Sequence, residues 1–276
     1  MVLSGNISVM LYGQGELNRQ NRILYRNERS LGVNLNSNGF GVDFAYAKRI
    51  NARNHKWYQV ELLNVKHPKE IKITNSIYNN KSFVFGKSNN FFVLKGQYGR
   101  QSELYRKNDA GGISIRYYYS IGPAIGFLKP IYYDVLHATG VFYDYYVESE
   151  KFSPSIHQSD ISGRSSFFKG FNEISLVPGV SAKAGFTFEY SQQEKAIHSL
   201  EIGFGMDLYP KEIPIMAIEN NNFFFLNLYA GYRFGKAIDI SEAARTKTLK
   251  ERWKERQTSR KIIKDQKRAL KNQDTY

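Results

Sequence analysis

The amino-acid sequence predicts an all-β fold: an eight-stranded antiparallel transmembrane β-barrel followed by a basic C-terminal helix. Three observations lead to this prediction. Apolar and polar residues alternate in eight segments, and the polar faces of these segments carry charges of both signs. The connections at one end of the segments are mostly longer than those at the other end. A period of two is typical of strands, because successive side chains point to opposite faces.

The clearest segment is the last one, residues 223–234, with the sequence FFFLNLYAGYRF. Every second residue from Phe224 to Phe234 is apolar, and the residues between include Asn227 and Arg233. A soluble sandwich would bury the apolar face in its core, whereas a transmembrane barrel would expose it to lipid. The alternation alone leaves both environments open.

Seven earlier segments show the same alternation. In chain order they span residues 29–36, 40–49, 56–65, 90–105, 113–127, 176–190 and 200–208. The fourth is the weakest, because Arg100 falls on its apolar face, and we expect a β-bulge to re-aim the side chains there. The turn Ser37–Gly39 between the first two segments predicts a tight hairpin.

The connections alternate in length along the chain. The longer ones span residues 66–89, 129–174 and 210–222, and the shorter ones span 51–55, 106–110 and 192–195. Apart from the first hairpin, this is the pattern of bacterial outer-membrane barrels, which have short periplasmic turns and longer external loops. Whether residues 66–89 add a further hairpin, and so make ten strands, stays open.

Ten charged residues lie on the polar faces of the segments. They are Asp43, Glu61, Lys95, Glu103, Arg116, Lys183, Glu189, Glu201, Asp207 and Arg233. On the outer face of a soluble sandwich such charges would be ordinary, but on its core face they would be untenable. Inside an eight-stranded barrel they can pair and fill an interior that is just wide enough for side chains. We therefore expect no channel for solutes.

The composition limits the chemistry of this chain of 276 residues. No run of 18 apolar residues is present, so the sequence contains no spanning helix, and the absence of cysteine excludes disulfides and thiolate sites. The five histidines are scattered, without the spacing of metal ligands. We expect no metal and no cofactor.

Two sets of residues superficially resemble catalytic groups. His198 and Ser199, with Glu201, are adjacent in a strand, where neighbouring side chains point to opposite faces and cannot meet. The second set lies in the longest loop and comprises Ser155, His157 and Asp160. No strained nucleophile turn surrounds that serine, so we interpret the loop as a polar surface and the protein as a non-enzyme.

The two ends of the chain differ from the barrel in composition. We interpret residues 1–14 as a truncated signal peptide, residues 15–28 as a periplasmic segment, 29–235 as the barrel and 236–276 as a basic helical tail in the periplasm. The formal net charge is +14, and residues 241–276 hold twelve basic and five acidic residues, a balance of +7. Half of the excess positive charge therefore lies in the tail.

The tail is rich in helix formers and has a thin apolar stripe, in which Leu249, Trp253 and Ile263 are candidates for docking onto a partner. Other interpretations are a solvated helix and binding to anionic lipid or a cell-wall polymer. In a cytosolic protein such a tail would be a nucleic-acid arm. The barrel interpretation argues against that, because the periplasm holds no nucleic acid.

The end of the last segment carries a family resemblance. Tyr232-Arg233-Phe234 resembles the aromatic-x-Phe end of the strand that is read by the barrel assembly machinery. Over residues 29–235 the chain resembles small eight-stranded outer-membrane barrels of Gram-negative bacteria, and its composition is similar to uncharacterised barrels of the Bacteroidota. The chain departs from that pattern in Tyr229, which stands in place of a glycine, and in the 42 residues after Phe234.

The resemblance implies an outer-membrane location, with lipid around the wall and both termini in the periplasm. We expect a non-catalytic structural or accessory subunit of an envelope assembly, secretion or anchoring complex, which contacts other envelope proteins through its long loops or its tail. The alternatives are a barrel enzyme that modifies lipid A, and a soluble β-sandwich with a basic nucleic-acid-binding arm.

Overall fold

The computed structural model describes residues 26–75, 81–107, 112–140, 144–191, 196–217, 220–239, 253 and 256–259. These residues form thirteen β-strands, which are β1 (Arg26–Asn36), β2 (Gly39–Arg49), β3 (Asn54–Val65), β4 (Lys72–Ile73), β5 (Phe83–Val84), β6 (Asn89–Tyr105), β7 (Ser114–Pro130), β8 (Tyr132–Ala138), β9 (Tyr145–Lys151), β10 (Ile161–Arg164), β11 (Ser175–Glu189), β12 (Ala196–Leu208) and β13 (Phe224–Asp239). Two short 3₁₀ helices span Gln158–Asp160 and Phe171–Glu173.

Eight of the strands form a closed antiparallel barrel in the order β1-β2-β3-β6-β7-β11-β12-β13, and β13 pairs with β1 to complete the circle. The predicted eight-stranded barrel is confirmed. Strands β4 and β5 pair only with each other among the described residues, so the connection after β3 adds no strand to the wall. The barrel begins at Arg26 and ends at Asp239, slightly beyond the expected limits at both ends.

The connections lie at two ends of the barrel. The end where β1 begins and β13 ends, here called the terminal end, has the connections 50–53, 106–113 and 190–195. The opposite end, here called the loop end, has the connections 37–38, 66–88, 131–174 and 209–223. Three of the four connections at the loop end are longer than any at the terminal end, as the sequence predicts. The two-residue turn Ser37–Asn38 needs the glycine that follows it, because a Cβ on Gly39 would overlap the carbonyl oxygen of Asn64.

The outer wall of the barrel is apolar. Leu228, Ile121 and Leu200 are exposed by 68%, 60% and 52% of their surface. Ten strand residues at about 3.4 Å each, tilted by about 40°, give a band roughly 25 Å tall, which matches the apolar band of transmembrane barrels. Such an unbroken apolar wall is unfavourable in water and stable against lipid, and a closed barrel leaves no unpaired strand edge in that lipid.

Aromatic side chains border this band at the terminal end. Tyr46, Tyr58 and Tyr98 stand side by side on β2, β3 and β6, with neighbouring ring centroids 6.4 and 5.2 Å apart. Arg100 points outward beside Lys56 of β3. The bulge of β6 lies between Glu103 and Tyr105, beyond Arg100, so the expectation that it would re-aim Arg100 was wrong. At this height a long basic side chain can reach the headgroups.

Glycines shape the interior where a tyrosine crosses it. Gly185 and Gly203 pair across β11 and β12, and a Cβ on Gly203 would overlap the hydroxyl group of Tyr229. The Tyr229 ring therefore passes over both glycines from β13, and its hydroxyl group contacts that of Tyr118 on β7. The two missing side chains make room for a link between opposite walls.

Few residues outside the barrel belong to the described part of the two chain ends. Trp253 and residues 256–259 are helical, and the Trp253 side chain is 62% exposed. The expected signal peptide (1–14), most of the segment 15–28, and the docking candidates Leu249 and Ile263 lie outside the described residues. None of the helices among the described residues has the length and apolarity needed to cross a membrane.

Candidate functional site

The ten charged residues singled out in the sequence all point into the barrel. Nine are buried and Glu103 is partly exposed. Lys95 Nζ lies 2.8 Å from Asp207 Oδ2, and Lys183 Nζ lies 3.2 Å from Glu61 Oε1. Because each pair joins strands on different sides of the barrel, the pairs tie the walls together across the interior.

Arg233 forms the centre of this network. One terminal nitrogen of its guanidinium group lies 2.8 Å from Asp43 Oδ2, and the other donates to Glu201 Oε2 at 2.8 Å. The guanidinium carbon also lies 5.0 Å from the ring centroid of Trp57. A planar group with several donors suits two carboxylates and an aromatic face at once, so one residue of β13 links β2, β3 and β12.

A second charge cluster lies toward the terminal end. Arg116 lies 2.6 Å from Glu28 and 2.6 Å from Glu189, and Lys107 Nζ lies 3.2 Å from Glu189. His55 Nε2 lies 4.0 Å from Glu28. The sequence interpretation missed Glu28, because the first strand was expected to start at residue 29. Glu28 lies an even number of residues before the inward-facing residues of β1. The two-residue alternation, extended by one residue, could therefore have identified it.

The loop end of the interior is apolar instead of charged. The described residues of the connection 209–223 fold into the mouth of the barrel and pack against inward side chains of β3, β6, β7 and β11. We call this connection the plug, and its core cluster comprises Leu63, Val65, Phe91, Val93, Ala124, Leu128, Val177, Tyr209, Ile213, Ile215 and Met216. The Asn221 carboxamide holds the plug, because its Oδ1 accepts from the N–H of Ile215 at 2.9 Å and its Nδ2 donates to the carbonyl of Met216 at 2.8 Å.

Above the plug, the two longest connections build a small separate structure, here called the cap (66–88 and 131–174). Strand β8 lies between β9 and β10 in one sheet, and the β4–β5 hairpin packs against it. Its buried core comprises Phe83, Ile131, Tyr133, Val135, Ile156 and Ile161. The Tyr133 hydroxyl group lies 2.7 Å from the carbonyl oxygens of both Val84 and Lys87, and burial raises the pKa of Tyr133, so the group remains a donor.

Three exposed phenylalanines lie where the cap meets β11. Phe167, Phe168 and Phe171 contact one another, and Phe168 is 79% exposed. The ammonium group of Lys129, on the adjoining end of β7, lies 4.8 Å from the Phe167 ring centroid and 5.2 Å from that of Phe171. The cluster therefore continues the apolar wall up to the base of the cap, where amphipathic and aromatic groups suit a membrane interface.

A cleft of about 290 Å³ separates the cap from the outer wall. The wall contributes Phe40, Phe92, Asn64 and Asn90, and the cap contributes Lys66, Glu70, Lys72, Lys87 and Arg164 among others. Lys87 Nζ lies 2.6 Å from Glu70 Oε2. Burial lowers the pKa of Lys87, and the nearby Glu70 opposes that shift.

The structure separates the residues that resemble catalytic groups. His198 points outward, with Nδ1 2.8 Å from the Tyr232 hydroxyl oxygen, whereas Ser199 is fully buried inside the barrel. The loop set of Ser155, His157 and Asp160 is exposed, and the side chains of Ser155 and Asp160 form hydrogen bonds with Ser153 and Ser159. Within the described ranges, no group of three His, Cys, Asp or Glu side chains is placed to hold a metal ion.

Tyr232 and Phe234, expected to belong to the assembly signal, both face outward on β13 near the terminal end. Their ring centroids are 6.5 Å apart. The structure gives their position, and their recognition by an assembly machinery stays a prediction.

No family model matches the chain. No curated protein matches it either. Among solved structures, the attachment invasion locus protein Ail of Yersinia pestis is similar with a TM-score of 0.40 and 8% identity, over 78% of this chain and 99% of that one. Neisserial surface protein A has a TM-score of 0.36 and 8% identity, over 78% and 97%. The N-terminal β-barrel domain of Pseudomonas aeruginosa OprF has a TM-score of 0.32 and 8% identity, over 78% and 98%.

Proposed function

We propose that the protein is a non-catalytic barrel of the outer membrane, which acts as a structural or accessory subunit of an envelope complex. Its termini would lie in the periplasm and its cap at the cell surface. The observation that supports this proposal is the filled interior, with ion pairs at two levels and the apolar plug above them. A filled barrel offers no route for solutes, so the cap and the tail are left as the parts that act.

The cap offers features of a contact surface. Among the described residues β9 is an edge strand of its sheet, and its residues Tyr145, Tyr146 and Val147 are each at least half exposed. An open strand edge with exposed aromatic residues is suited to pairing with a partner chain. In the tail, the exposed Trp253 would be the anchor of a second contact, together with Leu249 and Ile263 of the sequence-based prediction.

The first test concerns whether the protein is in the membrane and whether it conducts ions. We expect the full chain to require detergent for extraction from membranes and to give no steady conductance in planar bilayers. Recovery of the folded protein without detergent would contradict the membrane assignment, and a steady open channel would contradict the structural role.

The second test concerns partners. A photo-crosslinking residue at Tyr146 on β9 should give a defined protein adduct in native membranes, whereas the same residue at Tyr119 on the lipid-facing wall is the matched control. Deletion of residues 241–276 should leave insertion intact and remove partners held by the tail. If neither the cap nor the tail yields an adduct or a lost partner, the accessory role is wrong.

A further inference from the structure

The cleft between the cap and the outer wall has an unusual lining. Lys66 follows β3, Lys72 lies on β4 and Arg164 ends β10, and all three side chains are exposed at the cleft. Lys87 lies deeper and is buried. Four basic side chains from separate segments therefore converge on a space of about 290 Å³.

The charges of this cleft are not balanced by its own acidic residue. Glu70 uses both carboxylate oxygens locally, because Oε2 lies 2.6 Å from Lys87 Nζ and Oε1 accepts the backbone N–H of His67 at 2.9 Å. Burial lowers the pKa of Lys87, and the positive charges of Lys66 and Arg164 act in the same direction. A bound anion would relieve this repulsion.

The lower side of the cleft belongs to the lipid-facing wall. Phe40 is 52% exposed on β2, and Phe92 lies on the same outer face of β6. The Lys66 ammonium group is 5.8 Å from the Phe40 ring centroid, so a positive charge is located directly at the upper edge of the apolar band. A ligand that fills this site needs an anionic head and an apolar body.

We propose that the cleft binds the phosphate group of a phosphorylated membrane lipid, whose acyl chains lie along the outer wall beside Phe40 and Phe92. Lysine and arginine donate charge-assisted hydrogen bonds to phosphate oxygens, and arginine can do so with two nitrogens. A water-soluble anion would have no apolar part to contact Phe40 and Phe92 on the lower side of the cleft. The proposal rests on the membrane insertion and orientation proposed above, and it adds a lipid ligand for the cap.

The test uses the full chain in nanodiscs of phosphatidylcholine that contain a small fraction of bisphosphorylated lipid A. The lipid retained after repurification is counted by native mass spectrometry. We compare the wild type with the double variant Lys66→Gln/Arg164→Gln, and the matched control is Lys56→Gln/Arg100→Gln, which removes two exposed charges from the outer wall at the terminal end. Loss of two charge-assisted bonds should lower retention about tenfold or more in the first variant only.

Two further arms identify what is recognised. Dephosphorylated lipid A should be retained no better by the wild type than by the double variant, and inorganic phosphate should compete only weakly. Equal retention by wild type and double variant overturns the proposal, as does full displacement by inorganic phosphate. Heat-modifiable gel mobility verifies that each variant is folded, and a chain recovered without detergent would instead contradict the proposed membrane function.

Discussion

The two halves of the barrel interior are held together by different forces. Toward the terminal end, Arg233 and Arg116 bridge carboxylates on separate strands. Toward the loop end, the apolar plug fills the space. An ion pair in a dry interior fails abruptly when one partner is removed, because the other charge is left buried, whereas apolar packing is lost in proportion to the volume removed.

The largest effect is expected from Arg233→Met. The substitution removes the cation that lies against both Asp43 and Glu201, so the free energy of unfolding should fall by about 3–5 kcal/mol. Urea titration in lipid vesicles, followed by gel mobility, measures the loss. Arg100→Met, on the outer face, is the control and should change stability by less than about 0.5 kcal/mol. Similar values for the two variants would show that the network does not stabilise the barrel.

The plug should respond in a graded way. Ile213 is fully buried, and Ile213→Ala should cost about 2–4 kcal/mol through lost burial and a residual cavity. Ile213→Val should cost only about 0.5–1.5 kcal/mol. The control is Ile71→Ala, because that side chain is 72% exposed. An Ile213→Ala variant as stable as the wild type would mean that the plug does not pack in the mouth.

The cap can be tested without disturbing either half of the interior. Tyr133→Phe removes the hydroxyl group between the carbonyls of Val84 and Lys87, and it should cost about 1–2 kcal/mol of cap stability. Limited proteolysis should show faster cleavage within residues 131–174, whereas the gel mobility of the barrel stays unchanged. Tyr146→Phe on the exposed strand β9 is the matched control, and an equal cleavage rate in both variants would contradict the role of this hydroxyl group.

The smallest effect is expected at an exposed contact of the cap. Hydrogen bonds from Lys151 and Tyr132 lower the pKa of Glu173. The contact therefore stabilises the cap fully above the pH at which a free glutamate titrates, and it is lost as the pH falls through the lower folded pKa. Carboxyl chemical shifts of labelled glutamate should report the lowered pKa. A Glu173 carboxyl group that titrates like the glutamate of an unstructured peptide would rule out the contact.

Much of the barrel could be predicted from the sequence, because the period of two assigns each side chain to a face without knowledge of its partner. Lys95 and Asp207 each fall on the polar face of their segment, so both were expected inside the barrel. Their pairing could not be predicted, because 112 residues separate them and the register of the two wall strands between them, β7 and β11, decides which charges meet.

The plug and the cap could not be predicted for a different reason. The apolar residues 213–217 are consecutive and contain Pro214, so they show no period that distinguishes a buried connection from a strand. Strand β9 is exposed on both faces, so its sequence has no alternation to detect. The plug is ordered by contacts with distant strands, whereas β9 is ordered by pairing with the preceding strand β8.

Tyr229, which crosses the interior, and Arg233, which bridges two carboxylates, both lie on β13. Tyr229 reaches Tyr118 on β7, and Arg233 reaches Asp43 on β2. Until β13 takes its place in the wall, Asp43 and Glu201 therefore lack the arginine that links them. We expect closure of the barrel and pairing of these charges to occur together, so that a chain without residue 233 keeps an interior open to water.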